Sequence, residues 1–131
     1  MDNFELLQQV SILQSLPVDE IKHLAALVEP KSYAAGDVVI RDGDRGTYLY
    51  FVASGAAKVR MGSETVALQE PGDCFGEMAL LDDSPRSATV TMVKDGVLLR
   101  LHRDVFLDLV QRRPDMYKNF YKLLADRIRT T

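Results

Sequence analysis

The spacing of hydrophobic positions changes twice along the chain. Near the N-terminus Phe4, Leu6, Leu7 and Val10 form one helical pattern, and Ile21, Leu24, Ala25, Leu27 and Val28 form a second that repeats at i, i+3, i+4 and i+7. Pro17 stands near the first turn of the second helix, Asp19 and Glu20 face the positive end of its dipole, and Pro30 ends it. From Lys31 the pattern shortens to β-type runs: VVIR at 38–41, TYLYFVA at 47–53, AKVRM at 57–61, TVAL at 65–68, RSATVTM at 86–92 and VLLRLH at 97–102. Each has the length of a strand and is rich in β-branched or aromatic residues. Turn signals separate the runs: Ala35-Gly36-Asp37, Asp42-Gly43-Asp44, Ser54-Gly55, Pro71-Gly72-Asp73 and Asp95-Gly96. Two helical patterns close the chain, Val105, Phe106, Leu109 and Val110, then, after Pro114, Met116, Phe120, Leu123, Leu124 and Ile128.

Many short strands joined by glycine turns predict a mainly β fold with flanking helices. A double-stranded β-helix, or jelly-roll barrel, is favoured because it leaves few exposed strand edges. The expected layout is a single domain, with N-terminal helices over 1–30, a β-roll over 31–102 and C-terminal lid or hinge helices over 103–131.

Composition adds limits to this outline. A chain of 131 residues can bury roughly two-thirds of its unfolded surface. With 47% hydrophobic and 27% charged residues, a packed core is expected. The lone cysteine, Cys74, allows no intramolecular disulfide and reads as a small buried hydrophobe. The opening MDNFELLQQV has no leader character, and no run approaches the roughly 20 apolar residues of a membrane span, so a cytoplasmic location is expected. A net charge of −3 argues against general binding to nucleic acid. The charge is uneven: residues 100–131 carry eight basic and four acidic side chains, which marks either a partner surface or alternating charge on solvated helices.

The chemistry concentrates in FGEMALLDDSPRSATV, residues 75–90. In its first half a strand runs into Gly76 and then into good helix formers, and the free amides of such a turn, with the helix dipole, attract an anion. Glycine lets a ligand come close to the backbone. Arg86 follows nine residues after Glu77, held by Pro85 at the head of the next strand pattern. Its planar, permanently charged guanidinium suits a phosphate. Glu77 would repel an anion, but it suits a ribose hydroxyl, a role acidic side chains take at other nucleotide sites. One cation matches a singly charged phosphodiester, whereas a triphosphate calls for a Walker loop and a metal site, and the sequence has neither. Structural alternatives remain for each residue. Arg86 could pair with Asp82, Asp83 or Glu77, and Glu77 could serve only the helix dipole.

This segment closely resembles the phosphate-binding cassette of cyclic-nucleotide-binding domains, found in kinase regulatory subunits, gated channels and bacterial catabolite activators. The resemblance extends to GDVVIRDGDRGTYLYFVASGAAKV and to the placement of the terminal helices. It implies that Glu77 bonds the ribose 2′-hydroxyl, Arg86 the cyclic phosphate, and the amides around Gly76, Met78 and Ala79 the phosphate oxygens. Ser87 would add a hydroxyl near phosphate and base, while Val59, Met61, Val66 and Ala88 would wall the purine. Two departures stand out. Thr47 replaces the acidic residue common after Gly46, which puts a turn hydrogen bond in doubt. Small Ala56 and Ala57 follow Gly55 where one bulkier aliphatic is usual, which would loosen packing there.

The resemblance thus implies a sensor that binds a cyclic purine mononucleotide, cyclic AMP favoured over cyclic GMP, with no other cofactor and no catalysis. A cupin-like metalloenzyme needs a cluster of His and carboxylate ligands, but the two histidines are His23 on a helix pattern and His102 at a strand end. Many family members carry a helix-turn-helix, and the eighteen residues beyond Arg113 are too few for one. No direct contact with nucleic acid is therefore expected of this stretch. A further alternative is that the chain is the sensor fragment of a larger transcription regulator, channel or other effector protein. On binding, the C-terminal helix from Asp115 would close as a lid, with Tyr117, Phe120, Tyr121 or Leu124 over the purine. Alternatively, those side chains pack the helix against the roll or against a second protomer in a homodimer. The effector protein that responds is not specified by the sequence.

Overall fold

The computed structural model describes residues 2–76, 88–118 and 122, and the structural statements below concern these residues. The chain opens with α1 (Asn3–Gln8), a 3-10 turn (Ser11–Ser15) and α2 (Val18–Leu27). Asp2 caps α1 by accepting a hydrogen bond from the Glu5 amide at 2.8 Å. Eight strands follow: β1 (Glu29–Tyr33), β2 (Val38–Ile40), β3 (Tyr48–Val52), β4 (Ala56–Met61), β5 (Glu64–Gln69), β6 (Cys74–Phe75), β7 (Thr89–Lys94) and β8 (Gly96–His102). Helix α3 (Arg103–Arg112) comes next, and residues 114–118 are again helical.

The strands form two antiparallel four-stranded sheets, ordered β1-β8-β3-β6 and β2-β7-β4-β5. This order is the double Greek key of a jelly roll. Among the described residues no strand pairing joins the two sheets, so the roll is two facing sheets and not a closed barrel. Strand period 2 divides the core. Leu49, Phe51, Leu99 and Leu101 face outward from the first sheet and pack against Leu7, Leu13, Leu24, Phe106 and Tyr117 of the helical segments. Tyr50, Val52 and Leu98 face inward and meet Ile40, Ala57, Phe75, Val90 and Met92 between the sheets. Strand β3 is thus covered on both faces, which is why YLYFV is a continuous apolar run.

Two expectations from the sequence are corrected here. Pro30 does not simply end the second helix: α2 stops at Leu27, and Pro30 lies within β1, an edge strand where its missing N–H costs no ladder bond on the open side. Asp19 and Glu20 do lie in the first turn of α2, and Glu20 is only 3% exposed. Ala56 and Ala57 do not loosen the roll. Both are buried, at a register shift between β4 and β7 that fits two small residues against the sheet. The adjoining turns leave little room: a Cβ on Gly96 would lie 2.2 Å from the Ser54 carbonyl oxygen, so only glycine fits.

Candidate functional site

The two ends of the 75–90 segment are fixed by the roll. Strand β6 pairs with β3 through Tyr50↔Phe75 and Phe51↔Cys74, and the Tyr50 and Phe75 rings stack at 5.2 Å. Gly76 then takes a φ of +87°, a conformation that L side chains rarely adopt, and turns the chain out of β6. At the other end Thr89 enters β7, where Val90 lies opposite both Val59 of β4 and Ile40 of β2. The Thr89 hydroxyl oxygen accepts a hydrogen bond from the Asp42 amide at 3.1 Å, tying the β2–β3 loop to this entry.

Glu77, Met78, Ala79, Arg86 and Ser87 lie outside the described residues, as do the lid candidates Phe120, Tyr121 and Leu124. The remaining candidates can be placed. Val59 packs against the cluster between the sheets. The antiparallel register Val59↔Val90 and Arg60↔Thr89, carried one step further, sets Met61 opposite the half-buried Ala88. Val66 lies in β5 at the register shift between Ala67, opposite Val59, and Thr65, opposite Arg60. Val59, Met61 and Val66 belong to the second sheet, and Ala88 directly precedes its strand β7. Met61 and Val66 are 50% and 49% exposed, an apolar surface open to a ligand.

A cavity of about 190 Å³ is lined by Val39, Ile40, Asp44, Arg45, Thr47, Tyr48 and Tyr50. Two of its lining residues contact the ends of the candidate segment, since Tyr50 stacks on Phe75 and Ile40 pairs with Val90. Its aromatic floor and polar rim escaped the sequence reading, although the period-2 alternation in TYLYFVA marks Tyr48 and Tyr50 as neighbours on one face. Thr47, which stands where the family has an acid, keeps the turn closed by other bonds: its carbonyl accepts from the Arg103 amide at 2.8 Å.

Arg100 lies under the same end of the roll. Its guanidinium sits 4.4 Å from the Tyr48 ring centroid and donates to Glu29 at 3.3 Å. Burial opposes its charge, but the bond to Glu29 and the nearby tyrosines outweigh burial and hold it above the ordinary guanidinium value. His102 caps α3 by accepting from the Asp104 amide, and His23 is exposed on α2. Among the described residues no group of three or more His, Cys, Asp or Glu side chains could hold a metal ion.

Tyr117 is placed differently from the lid expectation. It is fully buried on the helical side of the first sheet, edge-on to Phe106 with centroids 5.7 Å apart, and does not face the roll interior. Its phenol donates to the buried Glu20. Burial first, then the bond to Glu20 and its charge, push the Tyr117 phenol well above its ordinary pKa, so it remains a donor at neutral pH.

Residues 30–113 match the model of the cyclic nucleotide-binding domain family, and the chain belongs to that family. It is 39% identical over 125 residues to a cyclic AMP receptor protein of Thermus thermophilus, covering 90% of this chain and 57% of that protein. It is 38% identical over 109 residues to a cAMP-dependent protein kinase regulatory subunit of Hypocrea atroviridis, covering 83% of this chain and 23% of that one. Among solved structures it resembles the Thermus thermophilus catabolite activator protein with a TM-score of 0.79 and 36% identity, over 91% of this chain and 58% of the other. The chain therefore spans little more than half of one curated relative and about a quarter of the other. Among the described residues no helix is long and apolar enough to cross a membrane.

Proposed function

We propose that this chain binds a cyclic purine mononucleotide, cyclic AMP in preference to cyclic GMP, and acts as a cytoplasmic, non-catalytic regulatory sensor. The observation that carries the proposal is the pair of fixed points that flank residues 77–87 in sequence: Gly76, which leaves β6 with a positive φ, and Ala88, which directly precedes β7. We assign Arg86 to the cyclic phosphate, together with the amides near Gly76, Met78 and Ala79. Glu77 accepts from the ribose 2′-hydroxyl, Ser87 adds a hydroxyl, and Val59, Met61, Val66 and Ala88 cover the purine. The half-exposed Met61 and Val66 support this assignment, since a bound base would remove their apolar surface from water. The relatives named for cyclic AMP favour adenine over guanine.

Ligand binding shifts the C-terminal helices toward a closed state, and an effector protein or further part of a longer regulator reads the shift. The preference is tested by displacing a fluorescent cyclic nucleotide with cyclic AMP and cyclic GMP. Displacement by cyclic AMP at the lower concentration is expected, and displacement by cyclic GMP at equal or lower concentration would overturn the base assignment.

A further inference from the structure

Glu20 comes from the N-terminal helices and yet holds the start of the C-terminal segment. One carboxylate oxygen accepts from the Tyr117 hydroxyl at 2.5 Å and the other from the Arg113 guanidinium at 2.9 Å, contacts that span 97 and 93 residues of sequence. Glu20 is 3% exposed and Tyr117 fully buried, while the Arg113 side chain is 58% exposed, so the carboxylate lies inside the protein and its cationic partner reaches in from the surface. The Arg113 carbonyl also accepts from the Met116 and Tyr117 amides, so the same residue starts the helical turn that carries Tyr117. Withdrawing Tyr117 and Arg113 would leave the buried Glu20 carboxyl group without these two partners, which strongly disfavours any movement of residues 113–117 away from α2.

We propose that Glu20 is a positioning residue for the nucleotide response: it pins the root of the C-terminal segment at Arg113 and Tyr117, and ligand affinity depends on that pin. The inference rests on the proposed function and adds a control point remote from the nucleotide. With the root fixed, residues 103–118 and α2 move as one body. With the root loose, the binding-competent arrangement is a smaller fraction of the ensemble, and apparent affinity falls by that fraction.

The test places paired spin labels at His23→Cys on α2 and Lys118→Cys, both exposed positions, with buried Cys74 left in place. The distance between them is measured with and without cyclic AMP in the otherwise native chain and in Tyr117→Phe, and affinity is titrated in parallel without labels. The expected result is one narrow distance that cyclic AMP leaves unchanged, a broadened distribution in Tyr117→Phe, and roughly threefold or greater loss of affinity in that variant. Glu20→Gln, which keeps a neutral acceptor for the phenol and loses the ion pair, provides a second and milder variant if Tyr117→Phe folds poorly, with the same signs expected. A purely structural role would lower thermal stability and leave the affinity of the folded fraction unchanged, and that outcome overturns the proposal. So does a cyclic AMP-dependent change in the native His23–Lys118 distance. If the native chain binds no cyclic nucleotide, the functional reading fails, and the unliganded distance distribution still decides whether Glu20 pins the root.

Discussion

Tyr50 and Phe75 stack with their ring planes 14° apart, and Phe75 is the residue from which the chain turns into the segment assigned to phosphate binding. The pair is buried between the sheets and anchors β6, a strand of two residues whose pairing is with β3. So short a strand has few ladder bonds, and ring packing supplies what the backbone does not. Phe75→Ala is expected to lower the unfolding free energy by about 3–5 kcal/mol, measured by urea denaturation. A loss below about 1 kcal/mol would show that the stack does not anchor the strand.

Gly76 is the second fixed point. Its φ of +87° is strained for any residue with a Cβ, and the strain falls at the mouth of the proposed site. Gly76→Ala should cost roughly 1–3 kcal/mol of stability and weaken nucleotide binding more than an alanine at exposed Gly36, which also has a positive φ and lies in the β1–β2 turn. Paired urea curves and ligand titrations of the two variants make the comparison.

Arg86 carries the proposed phosphate contact. Hydrogen bonds to charged groups contribute about 1.5–3 kcal/mol each, so Arg86→Ala is expected to lose roughly tenfold or more in affinity for cyclic AMP. Arg86→Lys keeps the charge but not the planar pair of donors, and should fall between the two. Equal affinity of Arg86→Ala and the native chain in calorimetry would remove Arg86 from the site.

The Glu20–Tyr117 bond has a pH signature. Burial, then Glu20, raise the Tyr117 pKa in the folded chain above the value of about 10 expected when unfolded. The unfolded chain therefore releases this proton first as pH rises. Its contribution to stability is complete below about pH 10 and declines above it. Tyr117→Phe should be less stable than the native chain at neutral pH and should lose less stability between about pH 9.5 and 11, as followed by thermal melts across that range. Parallel alkaline decline in both proteins would contradict the pKa assignment.

Much of the fold was legible because period and turn chemistry agree along the chain. TYLYFVA and VLLRLH became β3 and β8, and the glycine turns fall between strands. Strand β1 was not legible: EPKSY is polar and contains proline, and it pairs as an edge strand with four of its five positions exposed. Strand β6 was hidden for a different reason, since two residues carry no period. At the candidate site, the motif of Glu77 and Arg86 came from the order of residue types, and the base wall of Val59, Met61, Val66 and Ala88 from resemblance. The cavity lining of Tyr48, Tyr50 and Ile40 needed the strand register, which alternation hints at but does not fix. The partnership of Glu20 with Tyr117 had no local signal, because Asp-Glu at the start of a helix is an ordinary response to its dipole. Only packing across 97 residues distinguishes it.

Calorimetric titration of the folded native chain with cyclic AMP, beside the open-chain 5′-monophosphate, bears most directly on the proposed function. The expected result is saturable binding of cyclic AMP to one site, roughly tenfold or more tighter than the open-chain nucleotide, a difference of about 1.4 kcal/mol or more. A sample with a cooperative thermal melt that gives no saturable heat with either cyclic AMP or cyclic GMP would contradict it.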